Sequence, residues 1–274
     1  MGLSDRGSSL VNRVLGKVER LRRREELHRI ALAFDGLTTL EIGGPSPIFG
    51  HGLLSVYSRL GGCDLVNYAS QTLWDQQTRA QIAIRQQFIA EAVDLGVPSC
   101  SYGGLLASHV LEHVANPLKA LYEWQRVVSP GGPVLLVLPH RDHTFDHRRP
   151  VTPLEHILED HRAAVAEDDL THLDEVIDLH DGPEHDQAAF IRRCRDNERQ
   201  RSMHHHVFVT SSGVALVERA GFVVELVTAR RPHHIIILAR VPGAGDGAAP
   251  DSGDPLARAL TASPFASDAR EARR

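Results

Sequence analysis

The stretch Leu37–Ser46, LTTLEIGGPS, sets the frame for the chain, and Leu105–His113, LLASHVLEH, restates it further along. In the first, an apolar strand reaches Glu41 and then breaks into Gly43, Gly44, Pro45 and Ser46. Glycine has no Cβ, so such a turn lets a ligand approach the backbone. In an open α/β sheet, ligands sit beyond the carboxyl ends of the strands, where this turn falls. A glycine turn also serves as a plain connection, so its meaning depends on the elements downstream of it.

Outward from it, a strand–turn–helix pattern repeats. LTTLEI is the first strand, a helix is expected to begin within Pro47–Leu60, and CDLVNYA (63–69) is the second strand. Residues 71–87 are polar with scattered apolar positions and read as helix or an excursion over the sheet; FIAEAVDL (88–95) is expected to carry the third strand and GLLASHV (104–110) the fourth. Asn116 followed by Pro117 suits an N-cap and first helical position, and the helix then runs to the PGG stop. PVLLVLP (133–139) is continuously apolar, as expected of a strand buried on both faces. Residues 140–206 interrupt the alternation; a polar helical insertion of about 143–203, dense in His, Asp and Arg, is placed to cover a ligand. FVVELVTA (222–229) and HHIIILAR (233–240) return to strand after a helix over Ser211–Ala220, which Gly221 closes. The expected fold is α/β, a doubly wound, mostly parallel sheet with right-handed crossovers.

This domain, 37–241, has two flanks. Residues 1–36 read as a helical extension, with Val11, Val14, Leu15, Val18, Leu21 and Leu27 at helical spacing and a basic run over Arg20, Arg22, Arg23 and Arg24. That run is a solvated face, or else a contact for an anionic partner or a gate over the site. Residues 242–274 are poor in apolar residues and read as a flexible tail, with a marginal helix near Leu256–Leu260. A net charge of −5 and 5% aromatic residues argue against nucleic acid as a partner. Cys63, Cys100 and Cys194 form no CxxC pair, and no apolar run reaches membrane-spanning length, so a cytoplasmic protein that meets no membrane is expected. Dimerisation leaves no visible mark, and a homodimer stays open.

The ordered motifs resemble the class I S-adenosylmethionine (SAM) dependent methyltransferases, whose sheet is Rossmann-like. LEIGGPS looks like that family's first motif, and LLASHVLEHVANPLKALYEWQRVVSPGG followed by PVLLVLP looks like its later block. The resemblance implies that Gly43, Gly44 and Ser46 pass the methionine part of SAM and that Glu41 bonds the backbone or the methionyl amine around the turn. Asn67 would meet the ribose, standing where the family usually has an acid; a neutral amide still hydrogen-bonds a hydroxyl. Glu91 and Ala92 would read the adenine edge, and Ser108 and His109 would border the methionyl side. RDHTFDHRRPVTPLEHILEDH and MHHHVF further resemble an actinobacterial subgroup of sugar O-methyltransferases that serve polysaccharide methylation. The acceptor implied is a saccharide hydroxyl on a small molecule or an oligosaccharide. Methylation of a non-sugar small molecule, or a binding protein with a degenerate methyltransferase fold, are the alternatives.

A sugar hydroxyl is a poor nucleophile at neutral pH, so the reaction benefits from a general base or a metal ion. The chain holds 17 histidines. His140, His143 and His147 follow the fifth strand, and His147, then His143, are the expected bases, with Asp146 as orienter or metal ligand. Asp146, His147 and one of His204–His206, taken as His205, would supply a mixed shell for a divalent cation such as magnesium. A hydrogen-bonded His/Asp network is the other reading of the same residues. His156, His161, His172 and His180 are expected in solvent. Arg148 and Arg149 would bind substrate oxygens or pair with acids such as Glu155 and Glu159.

Overall fold

PVLLVLP forms β5 (Pro133–Pro139), and its alternating side chains feed two separate cores. The computed structural model describes residues 24–50, 53–72, 82, 84–182, 187–243 and 254–274. In chain order the main elements are α1 (24–32), β1 (Thr38–Ile42), β2 (Gly62–Asn67), β3 (Ile84–Ile89), β4 (Gly104–Ser108) and α2 (Pro117–Val127). After β5 come α3 (Leu154–Arg162), α4 (Leu173–Leu179), α5 (Gln187–Arg195), α6 (Asn197–Gln200), α7 (Thr210–Arg219), β6 (Val223–Arg230) and β7 (His234–Arg240). Two further helices, α8 (Pro255–Ala262) and α9 (Ala266–Glu271), follow.

The seven strands form one sheet in the order β3-β2-β1-β4-β5-β7-β6. All neighbours are parallel except β7, which runs antiparallel to both β5 and β6. Val134, Leu136 and Leu138 of β5 face α2 and α7, where Leu121, Trp124, Val214 and Val217 are buried; Leu135 and Val137 face α1 through Ile30 and, just beyond it, Phe34. The chain winds outward from β1 through β2 to β3, then crosses back to β4. That places the topological switch between β1 and β4, and the crevice beyond their carboxyl ends is where such sheets bind ligands. This is the Rossmann-like, doubly wound sheet that the sequence predicts, with one antiparallel strand.

Asn116 caps α2 as its sequence predicts, accepting from Lys119 N–H at 3.0 Å with Pro117 in the first turn. Three expectations need correction. Pro47–Leu60 holds two short 3-10 turns, Pro47–Phe49 and Tyr57–Arg59, rather than the start of a helix. The third strand begins earlier than FIAEAVDL, at Ile84; it is an edge strand exposed along most of its length, so it carries no apolar run. The predicted flexible tail is instead α8 and α9 over most of its described part. Asp254 caps α8 by accepting from Leu256 N–H at 2.8 Å, and Ala259, Leu260 and Phe265 are buried. Asp268 is fully buried and accepts from His140 Nε2, Thr210 Oγ1 and Ser263 Oγ at 3.0, 2.5 and 2.6 Å, while Phe265 stacks on the His140 ring. A few anchoring side chains suffice where composition alone reads as disorder. Of the predicted N-terminal helix, residues 1–23 and most of its apolar and basic positions lie outside the described residues. No helix among the described residues is long and apolar enough to cross a membrane.

Candidate functional site

The turn after β1 is built around Glu41. Its side chain is fully buried; Oε1 accepts from Ser46 N–H at 2.8 Å and Oε2 accepts from Tyr57 Oη at 2.8 Å. A Cβ on Gly44 would lie 2.2 Å from the Glu41 Cδ, so the second glycine is required by the carboxylate's approach. Gly43 has φ +71°, and a Cβ there would also meet Val110 at 2.6 Å. Asn67, at the end of β2, donates from Nδ2 to the Gly44 carbonyl at 2.9 Å and so ties the second strand to the turn.

Burial outweighs the hydrogen bonds from Tyr57 and Ser46 and pushes the Glu41 carboxyl up to about 7. A folded-state pKa above the unfolded value of 4.5 means that the protonated acid suits the fold. The associated stability is complete below pH 4.5 and is lost as pH rises through 7. That loss approaches about 3 kcal/mol. Glu41→Gln should therefore flatten the fall in unfolding free energy across this window, measured by urea unfolding; a slope equal to the parent's would place the titration elsewhere.

A cleft of about 600 Å³, mouth included, opens beyond β1, β2 and β4. Ile42 and Gly43 form its floor, Asn67 and Tyr68 one side, Ala90, Glu91 and Ala92 the side after β3, and His109, Val110 and His113 the side after β4. Of the predicted cofactor residues, Gly43, Asn67, Glu91, Ala92 and His109 line the cleft together; Glu41, Gly44, Ser46 and Ser108 do not, and the first three shape its floor from behind. The insertion closes over the cleft through Glu167 and Arg201, which the sequence did not single out. Arg201 pairs with Glu91 at 2.8 Å and Glu167 at 2.5 Å and lies over the Tyr68 ring, 5.4 Å from its centre. It stands just ahead of the MHHHVF run, the one signal that could have drawn attention to it.

The predicted catalytic and metal residues part company. His147 is exposed, with Nδ1 donating to the Thr144 carbonyl at 3.1 Å and Nε2 3.3 Å from Asp181. His143 lies against Phe265. Neither lines the cleft, so neither is placed as a base there. Asp146 is consumed by partners: Oδ1 accepts from Arg149 at 2.9 Å and Oδ2 from His204 Nδ1 at 2.5 Å. His205 turns away to Asn197, 3.0 Å from its Nδ2. Asp146, His147 and His205 therefore do not converge as a metal shell. Asp146 bonds His204 and Arg149 rather than His147 or His143.

Glu112, His113 and His204 come together instead. All three are buried, and one ligand atom of each lies within 4.8 Å of the others. His113, which also lines the cleft, is pushed down to about 4 by burial and by the neighbouring His204. Burial pulls His204 down too, but Asp146 beside it wins and raises it. The insertion histidines are not simply solvated either: His156 and His172 meet at 3.0 Å, and His180 stacks on Phe190.

With this geometry in place, comparison with known proteins gives one family match. Residues 40–136 match the family described as "Methyltransferase domain". The match runs from β1 into β5, about a third of the chain, and takes in the glycine turn and both flanks of the cleft. It supports a class I, SAM-dependent methyltransferase. No curated protein matches the chain. Similar solved structures include a SAM-dependent methyltransferase from Aquifex aeolicus, 12% identical, covering 79% of this chain and 89% of its own, with a TM-score of 0.43. The N-methyltransferase NodS from Bradyrhizobium japonicum is 11% identical over 82% of this chain and 96% of its own, TM-score 0.46. The 1,6-didemethyltoxoflavin-N1-methyltransferase from Burkholderia thailandensis is 11% identical over 86% of each chain, TM-score 0.44.

Proposed function

We propose that the chain is a SAM-dependent O-methyltransferase acting on a hydroxyl of a saccharide or a sugar-containing metabolite. The observation that carries the reading is the cleft at the sheet's switch point, floored by a left-handed glycine and flanked by Asn67 and Glu91. These residues fit the cofactor: the bare backbone at Gly43 leaves room for the methionyl part, while Asn67 and Glu91 offer polar groups to ribose and adenine. SAM supplies an electrophilic methyl on a sulfonium, ready for in-line displacement. The protein's share is to hold the acceptor oxygen collinear with that methyl and to exclude water. In a cleft lined largely by apolar side chains, His109, His113, Glu167 and Arg201 are polar groups in the wall that could meet an acceptor hydroxyl. His109 and His113 are the imidazoles at this wall and replace His147 and His143 as the groups near the reacting hydroxyl.

Calorimetric titration with SAM and with S-adenosylhomocysteine tests the first half. Both should bind, and Arg201→Ala, which unties Glu91 from Glu167, should weaken both by about tenfold, the worth of one charged hydrogen bond. Methyl transfer from labelled SAM to a panel of sugars tests the second. Absence of binding by either ligand would return the glycine turn to a plain connection.

A further inference from the structure

Behind the cleft wall, Glu112 is fully buried, and neither of its carboxylate oxygens makes a hydrogen bond among the described residues. A buried carboxylate left so is costly, and native proteins keep one only where something else satisfies it. His109 Nδ1 lies 3.4 Å from the Glu112 Oε1. Around it stand His113 and His204, whose rings meet edge to face at 4.4 Å.

Each imidazole is held from behind. His113 Nδ1 lies 3.1 Å from the Met203 carbonyl, which can only accept, so that nitrogen carries the proton and Nε2 carries the lone pair. His204 Nδ1 lies 2.5 Å from the Asp146 carboxylate, which gives the same tautomer in the neutral ring. Asp146 is itself fixed by Arg149 at 2.9 Å. A carbonyl behind one imidazole and a carboxylate behind the other is how metal-bound histidines are oriented.

We propose that Glu112, His113 and His204 form a divalent-metal site in the wall of the cleft. Two imidazoles and one carboxylate favour a first-row transition ion such as zinc, cobalt or manganese over magnesium or calcium, which prefer all-oxygen shells. Because His113 also lines the cleft, an ion there borders the space for the acceptor and would lower the pKa of its hydroxyl. That last role rests on the methyltransferase reading; the site itself does not. It also differs from the shell expected from sequence: Asp146 moves behind a ligand, and His147 and His205 drop out.

Cobalt(II) titrated into the chelator-treated protein, followed by calorimetry and ligand-field absorption, tests it. One equivalent should bind the parent. Glu112→Gln and His204→Gln should each weaken cobalt by about 100-fold, while both variants still bind SAM, which reports an intact fold. His172→Ala, in the separate His156–Asp160–His172 cluster, should leave this affinity unchanged. A parent that binds SAM but no cobalt overturns the proposal. So does cobalt binding that either SAM-competent variant leaves intact. Loss of SAM binding by the parent would instead count against the methyltransferase reading and leave the metal result to stand on its own.

Discussion

Gly44→Ala is expected to abolish SAM binding and to lower the midpoint of thermal unfolding by roughly 10 °C. The new methyl would lie 2.2 Å from the Glu41 Cδ, and the glutamate has no room to retreat because it is fully buried between Ser46 and Tyr57. Ser46 N–H keeps the Tyr57 oxygen at 2.7 Å, but displacement leaves the Tyr57 hydroxyl proton and the buried Glu41 carboxyl without their partners, at about 1–3 kcal/mol for each. A total of about 4 kcal/mol shifts a chain of this size by the stated amount. Gly96→Ala is the matched control. Gly96 has φ +65° with nothing within 4 Å of an added methyl, so only backbone strain of about 1 kcal/mol is expected. SAM titration and thermal unfolding of both variants decide the matter. Equal, small losses would mean that the turn shifts as a unit and that Glu41 is not its keystone.

The parts legible in the sequence are those with their own local chemistry. β5 is apolar throughout because both of its faces are covered, and α2 announces itself with Asn116 and Pro117. β3 is hard to place because an edge strand, IRQQFI, has little to bury. The tail reads as disorder because Asp268 and Phe265 act through His140, more than a hundred residues away in the chain. The same limit applies to the site. The residues of the glycine turn and its flanking strand ends are legible because strand ends converge at a switch point. The histidines are not sorted by sequence, because their number says nothing about which way each ring faces. Glu112 lies inside LLASHVLEH as its one acid, between His109 and His113, and that acid flanked by histidines is the available signal.

Arg149→Ala is expected to cost about 3–5 kcal/mol, the range for removing one partner from a buried ion pair. The sequence leaves this arginine between substrate binding and pairing with Glu155 or Glu159; the fold buries it to 2% exposure between other acids. Its Nη1 donates to Asp146 at 2.9 Å and to the His204 carbonyl at 2.9 Å, and Nε donates to Glu175 at 2.8 Å. Burial alone would raise the Asp146 carboxyl, but His204 and Arg149 overcome it and hold it down at about 2. A folded pKa below the unfolded 3.8 contributes stability that is present above 3.8 and lost as pH falls through 2. Without the guanidinium, that pKa moves back toward 3.8, so the variant should be less stable near neutrality yet lose less on acidification. Urea unfolding across this range reads both effects, with an unchanged slope against urea marking an intact two-state transition. Asp146→Asn placed on Arg149→Ala should cost little more, because the charge that the arginine neutralised is then absent. A loss below about 1 kcal/mol with the parent's acid slope would mean that His204 alone holds Asp146, and that the arginine only fills space.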